Sequence, residues 1–182
     1  MYATSSDYDG QSERAQRFFA TVQNKMLHAV TRHTAAELIL SRADAGKPNM
    51  GLTSWKGSRV RKGDITVAKN YLASEEIREL NRIVTMFLDV AEDRAARRKA
   101  MTMATWESEL DRFLQFNERP ILQDAGRVSH ERMEKVTSER YADFDAARKK
   151  TELEAAEEEY EIELKQIEKV ATEGLKNKKS TA

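Results

Sequence analysis

The residues best equipped for chemistry fall in one stretch, residues 42–72. It carries Lys47, Lys56, Arg59, Arg61, Lys62 and Lys69 against only Asp44 and Asp64. Cations clustered in this way neutralise phosphates and release the counterions condensed on them. Trp55 sits among them, and reads first as an apolar anchor and second as a platform on which a base stacks. Arg42, Asp44, Asn49 and Ser54, together with Lys56, form a second set. Converging in space, they would line a pocket for a nucleotide or phosphodiester. Ser54 has no base beside it in the sequence, so a nucleophilic serine is unsupported. The run P-N-M-G-L-T-S-W-K-G lacks the G-x-x-x-x-G-K-[ST] order that wraps backbone amides round a phosphate, and a Walker-type site is rejected.

Other groupings are less specific. His28 and His33 lack the H-E-x-x-H spacing that puts two imidazoles on one helix face. Each, like His130, reads as a satisfied surface or capping side chain. Asp89, Glu92 and Asp93 recur one turn apart, as a hard cation would need. Arg94, Arg97 and Arg98 follow at once, so ion pairing along the helix explains them better. Glu37, Asp44 and Asp64 flank the basic stretch, and meeting near Lys56 they would make a metal-dependent phosphodiester site. That is the lesser reading: no metal and no cofactor is expected. The absence of cysteine excludes disulfides, thiolate metal sites and cysteine nucleophiles.

Two kinds of segment must position these residues. Gly46, Pro48, Gly51, Gly57 and Gly63 make the basic stretch irregular. Pro48, Met50, Leu52, Trp55 and Val60 give it apolar anchors that a disordered linker would lack. A long irregular segment inside a helical domain is uncommon and usually functional when ordered.

The flanks read as helix. Phe18, Phe19, Val22, Met26, Ala29 and Val30 recur at helical spacing up to about Thr31. Thr34 and Glu37 form a capping box opening a short second helix to Ala43. Asp64 is the expected N-cap of a third helix bearing Ile65, Ala68, Tyr71 and Leu72. Ser74, followed by Glu75 and Glu76, is the expected cap of a fourth, with Ile77, Leu80, Val84, Phe87 and Ala91 as the spine of the core. A fifth carries Trp106, Leu110, Phe113 and Leu114, and breaks at Pro120 and Gly126, with Ile121 and Leu122 covering the core. Residues 129–176 form one long charged helix or a hairpin, with Met133, Val136, Tyr141 and Phe144 available for packing. Leu153, Tyr160, Leu164, Ile167 and Val170 make a thinner, coiled-coil-like seam.

Several motifs resemble the RhuM family of bacterial virulence-region proteins. They are T-A-A-E-L-I from Thr34, R-A-D from Arg42, K-P-N-M-G-L-T-S-W-K-G from Lys47, V-A-K-N-Y-L from Val67, E-L-N-R-I-V-T-M-F-L-D from Glu79 and L-D-R-F-L-Q-F-N-E-R from Leu110. The resemblance covers residues 3–126 and fades from Ser129. It implies a helical region that follows an N-terminal winged-helix-like or helix-turn-helix-like segment. It also implies DNA binding in bacterial genomic islands, and no catalytic motif. The polar, turn-rich residues 1–10 then read as a linker from such a segment.

The expected fold is all-α: a bundle of about five helices over residues 11–128 with a basic loop at 42–63, the long charged helix at 129–176, and a disordered tail at 177–182. The leading expectation is a nucleic-acid-associated domain touching phosphates through Lys47, Trp55, Lys56, Arg59, Arg61, Lys62 and Lys69. The alternatives are an enzyme with a pocket at Arg42, Asp44, Asn49 and Ser54, and an interaction module. Expected partners are DNA or another nucleic acid and a second copy through the long helix. No apolar run reaches membrane-spanning length, and the default compartment is the cytoplasm.

Overall fold

Helix α1 (Glu13–Thr31) is the element the bundle packs around. Ser12 caps it by accepting the Ala15 N–H. Ala15, Phe18, Val22, Met26 and Ala29, at the three- and four-residue spacing of one helix face, are all buried. Helix α2 (Ala35–Arg42) follows, opened by a complete capping box in which Thr34 and Glu37 exchange hydrogen bonds. Helix α3 (Ser74–Ala96) buries Ile83, Phe87 and Ala91, and helix α4 (Met103–Phe116) buries Met103, Trp106, Leu110 and Leu114. These faces of α1, α3 and α4 meet in one core. Trp106 stacks edge-to-face on Phe87 with ring centroids 6.3 Å apart. Helix α5 (His130–Lys179) runs without a break. The computed structural model describes residues 5–7, 9, 11–97 and 101–179, with side chains to residue 169, and shows no strand among them. The fold is an all-α bundle with a long C-terminal helix.

Two compact units divide the chain, Met1–Tyr141 and Ala142–Ala182. In the first, Met133 and Thr137 of α5 are buried. Lys25 is also buried there, its ammonium 2.7 Å from Asp111 and 3.3 Å from Glu107. That links α1 to α4 by charge as well as by packing. In the second unit the helix is laced by pairs one turn apart, such as Lys149 with Asp145 at 2.8 Å. Leu153, Tyr160, Ile162, Leu164 and Ile167 there are exposed.

The structure departs from the sequence expectations at several points. No third α-helix forms from Asp64; the segment is a turn followed by a single 3-10 turn, Ala68–Tyr71. Ala73 and not Ser74 occupies the N-cap of α3, and Glu76 supplies the capping carboxylate to the Ala73 N–H at 2.8 Å. The hairpin alternative for the long helix gives way to one continuous helix, which reaches Lys179. Residues 180–182, residues 98–100 of the basic tract, five of the first ten residues beyond Met1 (2–4, 8 and 10) and the Val170 side chain lie outside what is described.

Candidate nucleic-acid interface

The basic stretch is ordered by three sets of pins. At its start, Arg42 donates to the Tyr71 carbonyl at 2.6 Å and reaches both Glu76 oxygens at 2.6 Å. One side chain thereby ties the end of α2 to the end of the loop and to the first turn of α3. Such bidentate pairs combine strength with geometric specificity. Arg140 of α5 donates to the Leu40 and Ala43 carbonyls at 2.7 and 2.6 Å, satisfying acceptors that the C-terminus of α2 leaves open. At the far side the Thr53 N–H donates to the Asn70 carbonyl at 2.7 Å and its hydroxyl reaches the Leu72 carbonyl at 2.7 Å.

Between these pins the chain turns through three successive left-handed residues, Asn49 at φ 53, Met50 at φ 58 and Gly51 at φ 78. Met50 is fully buried, so its side chain holds a backbone conformation that costs an L-residue about 1–2 kcal/mol. Gly51 is required for a second reason: a Cβ there would lie 2.4 Å from the Arg42 carbonyl oxygen. The spacing K-P-N-M-G-L thus encodes a tight turn seated against the end of α2.

Asp64 closes the tip. Its two carboxylate oxygens accept the Lys56 N–H at 3.3 Å and the Arg61 N–H at 2.9 Å. It therefore serves donors that precede it in the chain, where a helix N-cap would serve donors that follow. Leu52, Val60, Ile65, Tyr71 and Leu72 are buried beneath the loop. Leu72 joins Leu27 and Leu38 in a second apolar cluster that fastens it to the bundle. The Tyr71 hydroxyl donates to the Ile65 carbonyl at 2.9 Å, and burial pushes its pKa well above the ordinary phenol value.

What this frame presents is cationic. Lys47, Lys56, Arg59, Arg61, Lys62 and Lys69 are exposed, and Trp55 is half-buried. Lys47 sits 3.8 Å from Asp44. Among the described residues no ion pair engages Lys56, Arg59, Arg61, Lys62 or Lys69, in a protein whose other arginines and lysines are repeatedly paired.

The other expected pocket residues are dispersed. Arg42 is spent on Glu76 and Tyr71, while Asp44, Asn49 and Ser54 are exposed. A cavity of about 350 Å³ beside Arg140 takes in Asp44 but not Arg42, Asn49 or Ser54. Glu37, Asp44 and Asp64 each hold backbone donors of their own, and the described residues contain no group of three potential metal ligands. Asp93 pairs with Arg97 along α3 at 3.1 Å, as expected, but Arg94 crosses to Glu109 of α4 at 2.8 Å. Sequence reasoning missed Glu76 and Arg140. The T-A-A-E capping box found Glu37 but not its second duty, accepting the Arg127 N–H at 2.7 Å.

The carboxylates in this frame are held ionised. The Arg42 guanidinium is the largest influence on Glu76; with the Ala73 N–H and a more distant His33 it outweighs partial burial and lowers the pKa below 4.5. Burial alone would raise Glu37, but the Arg127 and Thr34 donors and His33 together bring it below 4.5.

An all-α bundle that presents a pinned, unpaired basic loop is the class of protein these features define. The chain belongs to the virulence protein RhuM family, whose model matches residues 1–152. The match runs past Ser129, from which the resemblance in the sequence fades, and takes in Arg140 of α5. No curated protein and no solved structure matches the chain. No helix among the described residues is long and apolar enough to cross a membrane.

Proposed function

We propose that this RhuM-family chain is a nucleic-acid-associated domain of a virulence-region or genomic-island protein, contacting phosphates through the basic loop. The observation that carries the reading is the set of exposed, unpaired cations, Lys56, Arg59, Arg61, Lys62 and Lys69, on a loop whose backbone is fixed at both ends. Cations left without acid partners on a rigid support are available to a polyanion at little ordering cost. Lys47 stands at one border of the patch and the exposed part of Trp55 offers a face to a base. Because the chain has no net charge, the attraction is local and falls off within about 10 Å at ordinary ionic strength. An enzyme at the same loop has less support, since the cavity beside Arg140 takes in Asp44 without Arg42, Asn49 or Ser54.

The test is fluorescence-anisotropy titration with labelled duplex DNA, single-stranded DNA and RNA across a salt series. The variant is a Lys56→Ala, Arg59→Ala, Arg61→Ala triple, checked for folding by circular dichroism. Its binding should be weaker, with a log–log salt slope shallower by roughly 2–3 for three lost phosphate contacts. Equal binding by the variant, or none by the parent at low salt, sinks the proposal.

A second reading concerns the other unit and leaves the loop untouched. Leu153, Tyr160 and Ile167 recur every seven residues and are 61%, 63% and 64% exposed. That interval suits pairing with the same helix of a second copy. Analytical ultracentrifugation should show a dimer that a Leu153→Lys, Ile167→Lys variant dissociates. A parent that stays monomeric at high concentration removes the reading.

A further inference from the structure

The opposite end of α2 borders an open cavity of about 640 Å³, lined by the end of α1, the start of α2 and residues 121–128. We propose that it binds a small phosphorylated molecule of nucleotide size, with the phosphate held by Arg32 and Arg127 and completed by the protonated ring of His33.

Charge is the first argument. Arg32 and Arg127 both line the cavity, and neither side chain is in an ion pair among the described residues. The two carboxylates in the lining are already committed to backbone donors. Glu37 accepts from Thr34 and Arg127, and Asp124 accepts the Gly126 N–H at 2.9 Å. Glu37 and Asp124 keep their negative charge, so the lining is balanced between two carboxylates and two guanidinium groups. What favours an anion is that neither guanidinium is hydrogen-bonded to another side chain among the described residues.

Hydrogen bonding is the second. The Nδ1 atom of His28 is buried without a partner in the protein and has no accessible surface toward the cavity, so it makes no contact with a ligand there. This corrects the sequence expectation that His28 is satisfied. His33, by contrast, has its Nδ1 2.6 Å from the Thr31 carbonyl. With Nδ1 donating to that carbonyl, Nε2 carries an N–H for a phosphate oxygen only when the ring is the imidazolium; the neutral ring presents a lone pair there.

Backbone geometry is the third. Arg32 ends α1 at φ 63, where glycine is the usual residue. A side chain here carries a conformational cost that glycine would avoid, and the side chain it provides is a guanidinium at the cavity wall. Ile121 and Leu122 supply an apolar side for the body of the ligand. The volume lies inside the range of about 300–1,000 Å³ usual for small-molecule sites.

The site uses none of the basic-loop residues, and the eight residues of α2 separate the two by about 12 Å of helix. The experiment is isothermal titration calorimetry on the full chain. The probes are inorganic phosphate, the four nucleoside 5′-monophosphates and the matching unphosphorylated nucleosides. At least one monophosphate should bind, and its nucleoside should not. An Arg32→Gly, Arg127→Ala variant keeps the helix end and the Arg127 N–H bond, and should lose about tenfold or more in affinity, the equivalent of one charge-assisted hydrogen bond. The Lys56→Ala, Arg59→Ala, Arg61→Ala variant should bind the monophosphate as the parent does. Three results overturn the proposal: no heat from any phosphate at millimolar concentration, binding unchanged in the Arg32/Arg127 variant, or binding lost in the loop variant. Melting curves of both variants guard against misfolding, and an Arg127→Lys variant that retains part of the affinity separates charge from scaffold.

Discussion

Gly51→Ala should destabilise the protein by about 3 kcal/mol or more and disorder the loop before it unfolds the bundle. Two costs add at this position. Its φ of 78° lies where an alanine pays about 1–2 kcal/mol. The new methyl would also lie 2.4 Å from the Arg42 carbonyl oxygen, which belongs to the end of α2 and gives way only if the turn moves. Displacing that turn withdraws buried Met50 and loosens the seat of the loop. Thermal or urea unfolding gives the magnitude. Limited proteolysis after Lys47, Lys56 or Arg59 locates the damage, and should accelerate at conditions where far-ultraviolet circular dichroism is unchanged. A variant as stable and as protease-resistant as the parent would mean that the turn tolerates a side chain after all. Gly63 is a built-in control: nothing lies within 4 Å of a methyl placed there.

Arg42→Ala should cost about 2–3 kcal/mol. Its side chain is 30% exposed and that of Glu76 22%, so the loss falls short of the roughly 3–5 kcal/mol of a fully buried pair broken on one side. Three hydrogen bonds disappear together, and the Tyr71 carbonyl is left to find water. Acid sensitivity should change as well. Because the folded-state pKa of Glu76 is depressed, its contribution is fully present above about pH 4.5, the unfolded value, and is lost as pH falls through the folded value. Arg42 is the main source of that depression. The variant should therefore show a flatter decline of stability below pH 4.5, measured by urea unfolding at a series of pH values. Parallel curves for parent and variant would contradict this account of the pair.

The elements that could be read from the sequence are those whose signals are local. Thr34 and Glu37 cap α2 across three positions, and the apolar stripe from Phe18 to Ala29 repeats within one helix. The basic loop was legible because glycine, proline and charge act where they stand. What fixes it was not. Arg42 meets Glu76 thirty-four positions on, and Arg140 reaches back about a hundred. A single charged residue on a charged helix carries no mark of the carbonyl it will find. Asp64 misled for a related reason: a carboxylate before Ile65 looks the same whether it serves amides ahead of it or behind it. His28 was read as satisfied because sequence shows that a histidine can find a partner and not whether it does.

Arg140 sets an order of events during synthesis. Its carbonyl partners at Leu40 and Ala43 leave the ribosome long before it does, and remain open until the first turns of α5 have emerged and docked. The helices α1 to α4 can gather around local contacts in the meantime, as chains do from the N-terminal side. The base of the loop cannot be finished with them. The surface proposed to meet nucleic acid is thus completed late, once the chain has been made well past its middle. A nascent chain stopped short of Arg140 would carry the cations of the loop without the clasp that holds its root.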